Sequence, residues 1–246
     1  QFLYFIGTLH ARQMPLPDDI KPGDVMHAKA DEPSPLEGVA AASHDPFALF
    51  SEWFAIAQRS ELNDPNAMAI STVSPEGRPS VRMVLLKEHS PKGFTFFTNY
   101  ESRKGGELLG TKWASLCFHW KTLGRQVRVE GRAVPVSSEA GDAYWVTRGR
   151  ESQLGAWASQ QSRELPSRQV FLDRIAELEA KYPPGTPIPR PPYWSGFTVV
   201  PDRIEFWVSL PARWHDRVVF QRTVDGSGNA ADEFACGEWS TTRLYP

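Results

Sequence analysis

Cysteine is scarce: Cys117 and Cys236 are the only two in 246 residues, far apart and outside any C-x-x-C or Cys/His ligand spacing, so no disulfide framework is expected. The six histidines (His10, His27, His44, His89, His119, His215) form no H-E-x-x-H or i,i+4 pair, which removes the readable metal patterns, and no metal is expected. No apolar run approaches the roughly 20 residues that span a bilayer. The opening residues 2–6 are apolar but too short for a signal core and carry no basic residue before them, so the chain is expected to be cytoplasmic, with no membrane partner. The first residue is Gln rather than Met, and the true start is read as missing or altered. A basic excess is also lacking: 27 Lys and Arg stand against 29 Asp and Glu, which argues against a dedicated nucleic-acid binder. No P-loop, G-x-S-x-G or EF-hand pattern occurs. Residues 226–231 fit G-x-G-x-x-A, but only a short strand can follow, so no βαβ unit exists to place a pyrophosphate and a hairpin loop is expected instead.

What is present is a globular composition, 41% hydrophobic and 12% aromatic, in a chain long enough to bury roughly three quarters of its unfolded surface. Residues 1–44 are rich in Pro, Asp, Ala and Gly without periodicity and read as a mobile N-terminal arm. Residues 45–246 read as a single domain. Asp45-Pro46 is a helix start, with Phe47, Phe50, Phe54 and Ala57 at helical spacing up to about Ser60. Runs rich in β-formers follow at 67–73, 81–87, 94–98, 113–120 and 126–135, separated by turns too short for crossover helices. That spacing predicts antiparallel pairing and a barrel. Helices are expected at about 102–109, 138–148 and 167–181, then a stiff Pro-rich connector at 183–192. Strands at 194–200, 203–209, 215–223 and 238–244 should complete the same sheet. The expected class is mainly β with accessory helices.

Several segments carry chemistry. Phe97 and Thr98 leave a strand, and Arg103 and Lys104 enter a helix; adjacent cations at a helix N-terminus are unfavourable unless an anion answers them, which suits a phosphate. Strand parity puts Arg82 and Lys87 on opposite faces, so serving one ligand requires a bulge or a ligand that wraps the strand end; an edge strand with a charged rim is the plainer reading. Gln126, Arg128 and Glu130 share one face of an alternating strand, most of it read as solvated. Tyr144, Arg148 and Ser152 are four apart and would line one helical face if the helix persisted past Gly149. Together they offer phenol, guanidinium and hydroxyl donors to a phosphate. Residues 153–162, including Gln161 and Ser162, mix small residues and amides suited to close approach of a polar ring. On a strand, Arg213, His215 and Arg217 would project together, and three potential cations on one face call for an anionic or electron-rich partner.

In order and spacing these segments (82–87, 97–104, 126–131, 144–162, 213–217 and the terminal 243–246) resemble the pyridoxine/pyridoxamine 5′-phosphate oxidase family over about residues 45–246. The resemblance implies an FMN-binding split β-barrel and a homodimer with two sites at its interface. It implies flavin contacts at Arg82, Met83, Lys87, Phe97, Thr98, Arg103, Lys104, Gln126, Gln161, Ser162, Trp207 and Arg217. Substrate contacts fall on Lys87, Tyr144, Arg148, Ser152, Arg213 and His215, with Arg213 and His215 as the catalytic pair. The implied reaction oxidises pyridoxine 5′-phosphate or pyridoxamine 5′-phosphate to pyridoxal 5′-phosphate, with O2 reduced to hydrogen peroxide. A related oxidase of another ring, phenazine-type, and a non-catalytic FMN or pyridoxal phosphate carrier are the alternatives. The sequence departs from the family at Trp214, where Leu is common between the paired Arg and His, and in a longer loop around 224–237. Residues 1–44 do not align to the arm that covers the substrate in some relatives.

Overall fold

The structure, a computed structural model, describes residues 33–39, 45–225 and 228–246. Helix α1 (Pro46–Ser60) starts where expected: the Asp45 carboxylate accepts from the Phe47 N–H, and Pro46 occupies the first turn. Its Phe47, Phe50, Trp53 and Ala57 are buried in the main core. The strands are β1 (Ala67–Val73), β2 (Pro79–Leu85), β3 (Glu88–Ser90), β4 (Gly93–Asn99), β5 (Trp113–Trp120), β6 (Arg125–Pro135), β7 (Trp194–Val208), β8 (Asp216–Gln221) and β9 (Ser240–Leu244). Between them lie α2 (Arg103–Thr111), α3 (Ser138–Val146), α4 (Arg150–Ala158) and α5 (Arg168–Lys181).

All these strands belong to one antiparallel sheet in the order β2-β1-β5-β6-β7-β4-β3, with β8 on β7 and β9 on β8. The two late strands expected at 194–200 and 203–209 are one continuous strand. Strand β7 pairs with β6 along its length, whereas its other edge pairs with β4 over 194–199 and with β8 over 203–208. The sheet forks there. Pro201, which has no N–H to donate, lies at the fork opposite Gly131, next to the register shift at Glu130/Gly131. A Cβ on Gly131 would lie 2.1 Å from the Val200 carbonyl oxygen, so only glycine admits this approach.

The main core packs α1 against the sheet through Phe50, Phe94, Phe118 and Trp120. A smaller cluster of Trp145, Leu154, Ile188 and Trp194 sits under α3 and α4. Leu36 and Val39, within the stretch read as a mobile arm, are buried in the main core; residues 1–32 and 40–44 lie outside the described residues. Residues 226–227 of the glycine-containing loop do too, and the flanking β8 and β9 pair antiparallel. Among the described residues, no helix is long and apolar enough to cross a membrane.

Candidate active site

A cleft of about 730 Å³ opens between β2, the end of β4, the start of α2 and the α3–α4 pair. Its walls include Met83, Lys87, Phe97, Thr98, Lys104, Tyr144, Arg148, Ser152 and Gln161, nine of the residues expected at the site. Among the described residues, the cationic side chains on it are Lys87, Lys104 and Arg148, and no carboxylate lines it.

Helix α2 begins on Ser102, whose buried hydroxyl accepts from Gly105 N–H at 3.2 Å. Gly105 is required because a Cβ there would lie 2.4 Å from the Tyr100 carbonyl oxygen. This close approach seats Lys104 inward, where its ammonium donates to Gln161 Oε1 at 2.8 Å and to the Ser102 hydroxyl at 3.4 Å. Both partners are neutral. Burial, with a contribution from the Arg82 charge, pushes Lys104 down to about 8. An Arg163–Glu101 ion pair at 2.7 Å and the Lys104–Gln161 bond tie the segment after α4 to the α2 start.

Arg82 and Arg103 do not line the cleft. They converge on Glu107, a buried carboxylate on α2: Arg103 Nε lies 2.9 Å from it and Arg82 Nη2 3.5 Å. Arg82 also donates to Ser80 and to the Thr72 hydroxyl. Burial raises the Glu107 carboxyl, but hydrogen bonds from Thr72 and Arg103 and the charges of Arg103 and Arg82 together hold it below its ordinary value. Within the chain, Glu107 thus answers Arg82 and Arg103. Among the described residues, no anion is a hydrogen-bond partner of Lys104.

The parity conflict between Arg82 and Lys87 has a local cause. Strand β2 stops at Leu85; Leu86 turns into the core as its N–H bonds to the Asn66 carbonyl, and Lys87 N–H bonds to the Thr95 carbonyl. Alternation ends before Lys87, which is free to line the cleft while Arg82 faces α2.

The helix expected at 138–148 does not persist past Gly149 to carry Tyr144, Arg148 and Ser152 on one face. Helix α3 ends at Val146, and α4 restarts at Arg150 with Gly149 as its N-cap. All three residues nonetheless reach the cleft, because the break redirects α4 along it. Arg148 lies over the Trp194 ring at 4.4 Å and the Trp145 ring at 5.3 Å, and its buried Nη1 has no hydrogen-bond partner. Burial lowers its pKa. Trp194 is a cleft residue that sequence reasoning missed; its place at the start of a strand after a Pro-rich connector marks it as core, not as a wall of the cleft.

A second group lies elsewhere on the sheet. Gln126, Trp207 and Arg217 form a cross-strand row over β6, β7 and β8, and the His215 ring is 4.6 Å from Trp207. The expectation that Arg213, His215 and Arg217 project together from a strand is overturned: β8 starts at Asp216, and Arg213 lies in a 3-10 turn at Pro211–Arg213. Pro211 starts the turn, Trp214 N–H closes it on the Pro211 carbonyl, and left-handed Ala212 and Arg213 reverse the chain. His215 Nδ1 accepts from Leu210 N–H at 3.2 Å, so a neutral His215 carries its proton on Nε2. Arg217 places Nε and Nη2 each 2.9 Å from one oxygen, Oε1, of the buried Glu205, and Arg128 and Arg203 lie 3.4 and 3.5 Å from its other oxygen. Arg213 and Ser162 are exposed. None of Gln126, Ser162, Trp207, Arg213, His215 or Arg217 lines the cleft.

A forked antiparallel barrel with a cleft beside its edge strand that carries three cations and, among the described residues, no carboxylate defines the split-barrel class. The chain belongs to the pyridoxamine 5′-phosphate oxidase family: the model of that name matches residues 54–182, and the model described as the pyridoxine 5′-phosphate oxidase C-terminal dimerisation region matches residues 194–246. The pyridoxine/pyridoxamine 5′-phosphate oxidase of Erythrobacter litoralis is 55% identical over 82% of this chain and 91% of its own length. That of Rhodospirillum rubrum is 54% identical over 82% and 96%. Among solved structures, PhzG from Burkholderia lata, in complex with tetrahydrophenazine-1-carboxylic acid, is 33% identical with a TM-score of 0.75, covering 88% of this chain and 98% of that one. An FMN-binding protein of Nostoc punctiforme, 19% identical with a TM-score of 0.62, covers 83% of this chain and 100% of its own and shares the fold.

Proposed function

We propose that this protein is an FMN-dependent oxidase that converts pyridoxine 5′-phosphate and pyridoxamine 5′-phosphate to pyridoxal 5′-phosphate, with O2 as the final acceptor. The observation that carries this reading is the cleft itself: three cations, no carboxylate, a Lys104 held by neutral partners, and an Arg148 with an unpartnered buried N–H. Unanswered buried charge of this kind is costly unless a ligand supplies the counter-charge. Its volume also lies within the range of small-ligand pockets.

The residues fit FMN. Lys104, with Arg82 and Arg103 behind it, would hold the flavin phosphate at the α2 N-terminus, where backbone N–H groups add to the attraction. Met83, Phe97, Thr98 and Gln161 would flank the rest of it. The chemistry FMN supplies when bound is two-electron acceptance, with reoxidation by O2 giving hydrogen peroxide.

The chain's own groups bind and orient. Arg148, Tyr144 and Ser152 grip the substrate phosphate, and Lys87 stands between the two ligands. Gln126, Trp207, Arg213, His215 and Arg217 lie away from this cleft, so they serve a site only if a second copy brings them to it. Strand β2 leaves Val81, Met83 and Leu85 exposed at 67, 61 and 39%, an apolar edge beside the cleft that a homodimer covers. In that arrangement His215, with Nδ1 engaged by Leu210, presents Nε2–H as a donor to the substrate hydroxyl or amine, and Arg213 orients the same group. While its Nδ1 bond persists, His215 holds a proton at Nε2 and cannot take another there.

The test is the absorption spectrum of the purified protein: flavin bands that bleach anaerobically with pyridoxine 5′-phosphate and return in air with hydrogen peroxide support the reading. A colourless protein that takes up no FMN overturns it. The likeness to PhzG carries a second reading, an oxidase of a reduced phenazine-type ring. Bleaching by such a ring and not by pyridoxine 5′-phosphate selects it.

A further inference from the structure

We propose that Trp194 is a positioning residue for the substrate phosphate, holding Arg148 by its face so that the guanidinium edge is free for the anion. The inference rests on the reading that Arg148 grips that phosphate. Other arginines are oriented by carboxylates: Arg103 by Glu107, Arg217 by Glu205, and Arg190 by Asp142 at 2.6 Å. Among the described residues Arg148 has no ion-pair partner; rings hold it instead, with Trp194 nearer at 4.4 Å and Trp145 at 5.3 Å. A carboxylate partner would occupy the guanidinium N–H edge and cancel its charge. An aromatic face does neither, since it contacts the flat side of the cation and leaves the in-plane donors unused. The buried Nη1 without a partner is the consequence.

Trp194 is itself rigid. It is buried at the start of β7, opposite Asn99. Its N–H donates to the Pro191 carbonyl at 3.0 Å, and its own carbonyl accepts from Arg190 at 2.9 Å. It also belongs to a group of three near-parallel rings: Phe97 lies 4.0 Å from Tyr144 and 5.6 Å from Trp194, and Tyr144 lies 6.1 Å from Trp194, with interplanar angles of 17°, 12° and 9°. The indole therefore packs against both the arginine and the tyrosine of the proposed clamp. Trp145, the other ring, is committed elsewhere through its N–H to the Ile188 carbonyl at 2.7 Å.

The experiment compares holoenzyme variants Trp194→Met, Trp194→Phe and Arg148→Ala on pyridoxine 5′-phosphate and on unphosphorylated pyridoxine. Trp194→Met is expected to raise KM for the phosphorylated substrate about ten-fold, the scale of a desolvated cation–π contact, with kcat and FMN content retained. Trp194→Phe should raise it only two- to three-fold, on the order of a weaker ring at the same place. KM for pyridoxine should stay unchanged in both. A Trp194→Met enzyme with wild-type KM, or with equal losses on both substrates, overturns the proposal. If Trp194→Met does not yield holoprotein, a Trp194→Phe enzyme whose KM is unaltered or whose kcat alone falls overturns it instead. Arg148→Ala separates the two layers. If it leaves the preference for the phosphorylated substrate intact, the clamp reading fails and the proposal with it. If it abolishes that preference while Trp194→Met preserves it, only the role of Trp194 fails.

Discussion

Lys104 and Arg148 in the cleft differ from Arg128, Arg203 and Arg217 beside Glu205 in the partner each has found. The cleft cations rest on amide, hydroxyl and aromatic groups, whereas the three arginines on β6, β7 and β8 share one carboxylate that is 2% exposed. A cation answered inside the chain is fixed in place and has little charge left to offer. One answered only by neutral groups keeps its charge for a ligand and is less stable until the ligand arrives. The difference separates a region built to hold its geometry from a region built to receive an anion.

The sharpest way to break this comparison is at Glu205. Glu205→Ala takes from Arg217 its carboxylate and leaves Arg128 and Arg203 only Glu130, and should destabilise the fold by about 3 kcal/mol, the lower end for a broken buried pair because the guanidinium ends are partly exposed. Chemical denaturation measures it, and an unchanged midpoint would show that the cluster is not structural. Next in size, Arg148→Ala should raise KM for pyridoxine 5′-phosphate by ~30- to 100-fold, the equivalent of a charge-assisted hydrogen-bond set of about 2–3 kcal/mol. FMN affinity and the denaturation midpoint should barely move; equal loss of FMN would merge the two proposed phosphate sites.

A smaller effect comes from Lys104. An anionic ligand prefers the protonated ammonium, and the free protein loses that proton as pH rises through about 8. FMN binding to the apoprotein should therefore weaken above that pH, by up to ~10-fold per unit, the limit for one linked proton. Flavin fluorescence titration between pH 7 and 10 reads it on the wild type, and Lys104→Arg, charged throughout, should flatten the curve. A wild-type curve already flat would mean that Lys104 does not face the phosphate. The smallest expected effect is at Trp214, which is 76% exposed: Trp214→Leu should change stability by no more than about 0.5 kcal/mol. A large loss of kcat in that variant would give the indole a place over a ring in the partner's cleft.

Helix α1 was legible because its signals are local: a capping carboxylate, a first-turn proline and aromatic residues at helical spacing. The alternation of β5 and β6 was legible for the same reason. The break at Gly149 was only half legible, since a glycine can end a helix but does not say that another begins one residue later. Arg213 was placed on a strand with His215 and Arg217 because alternating Arg, His and Arg imitate strand periodicity; the hydrogen bonds of Leu210 with His215 and of Trp214 with Pro211, which reverse the chain, are invisible in a residue pattern. That Arg82 and Arg103 share Glu107 was not legible, because the carboxylate stands only four positions from Arg103 but twenty-five from Arg82.

Composition and local pattern by themselves determined the mainly β class, the start of the first helix and most strand positions. Periodicity and capping act over a few residues, so one dimension records them. Which cations are answered within the chain, that Trp194 backs Arg148, and that the Gln126–Trp207–Arg217 row stands apart from the cleft were decided only by the tertiary structure. Electrostatic and aromatic partnership depends on distance in space, and the sheet register brings together residues that lie tens of positions apart.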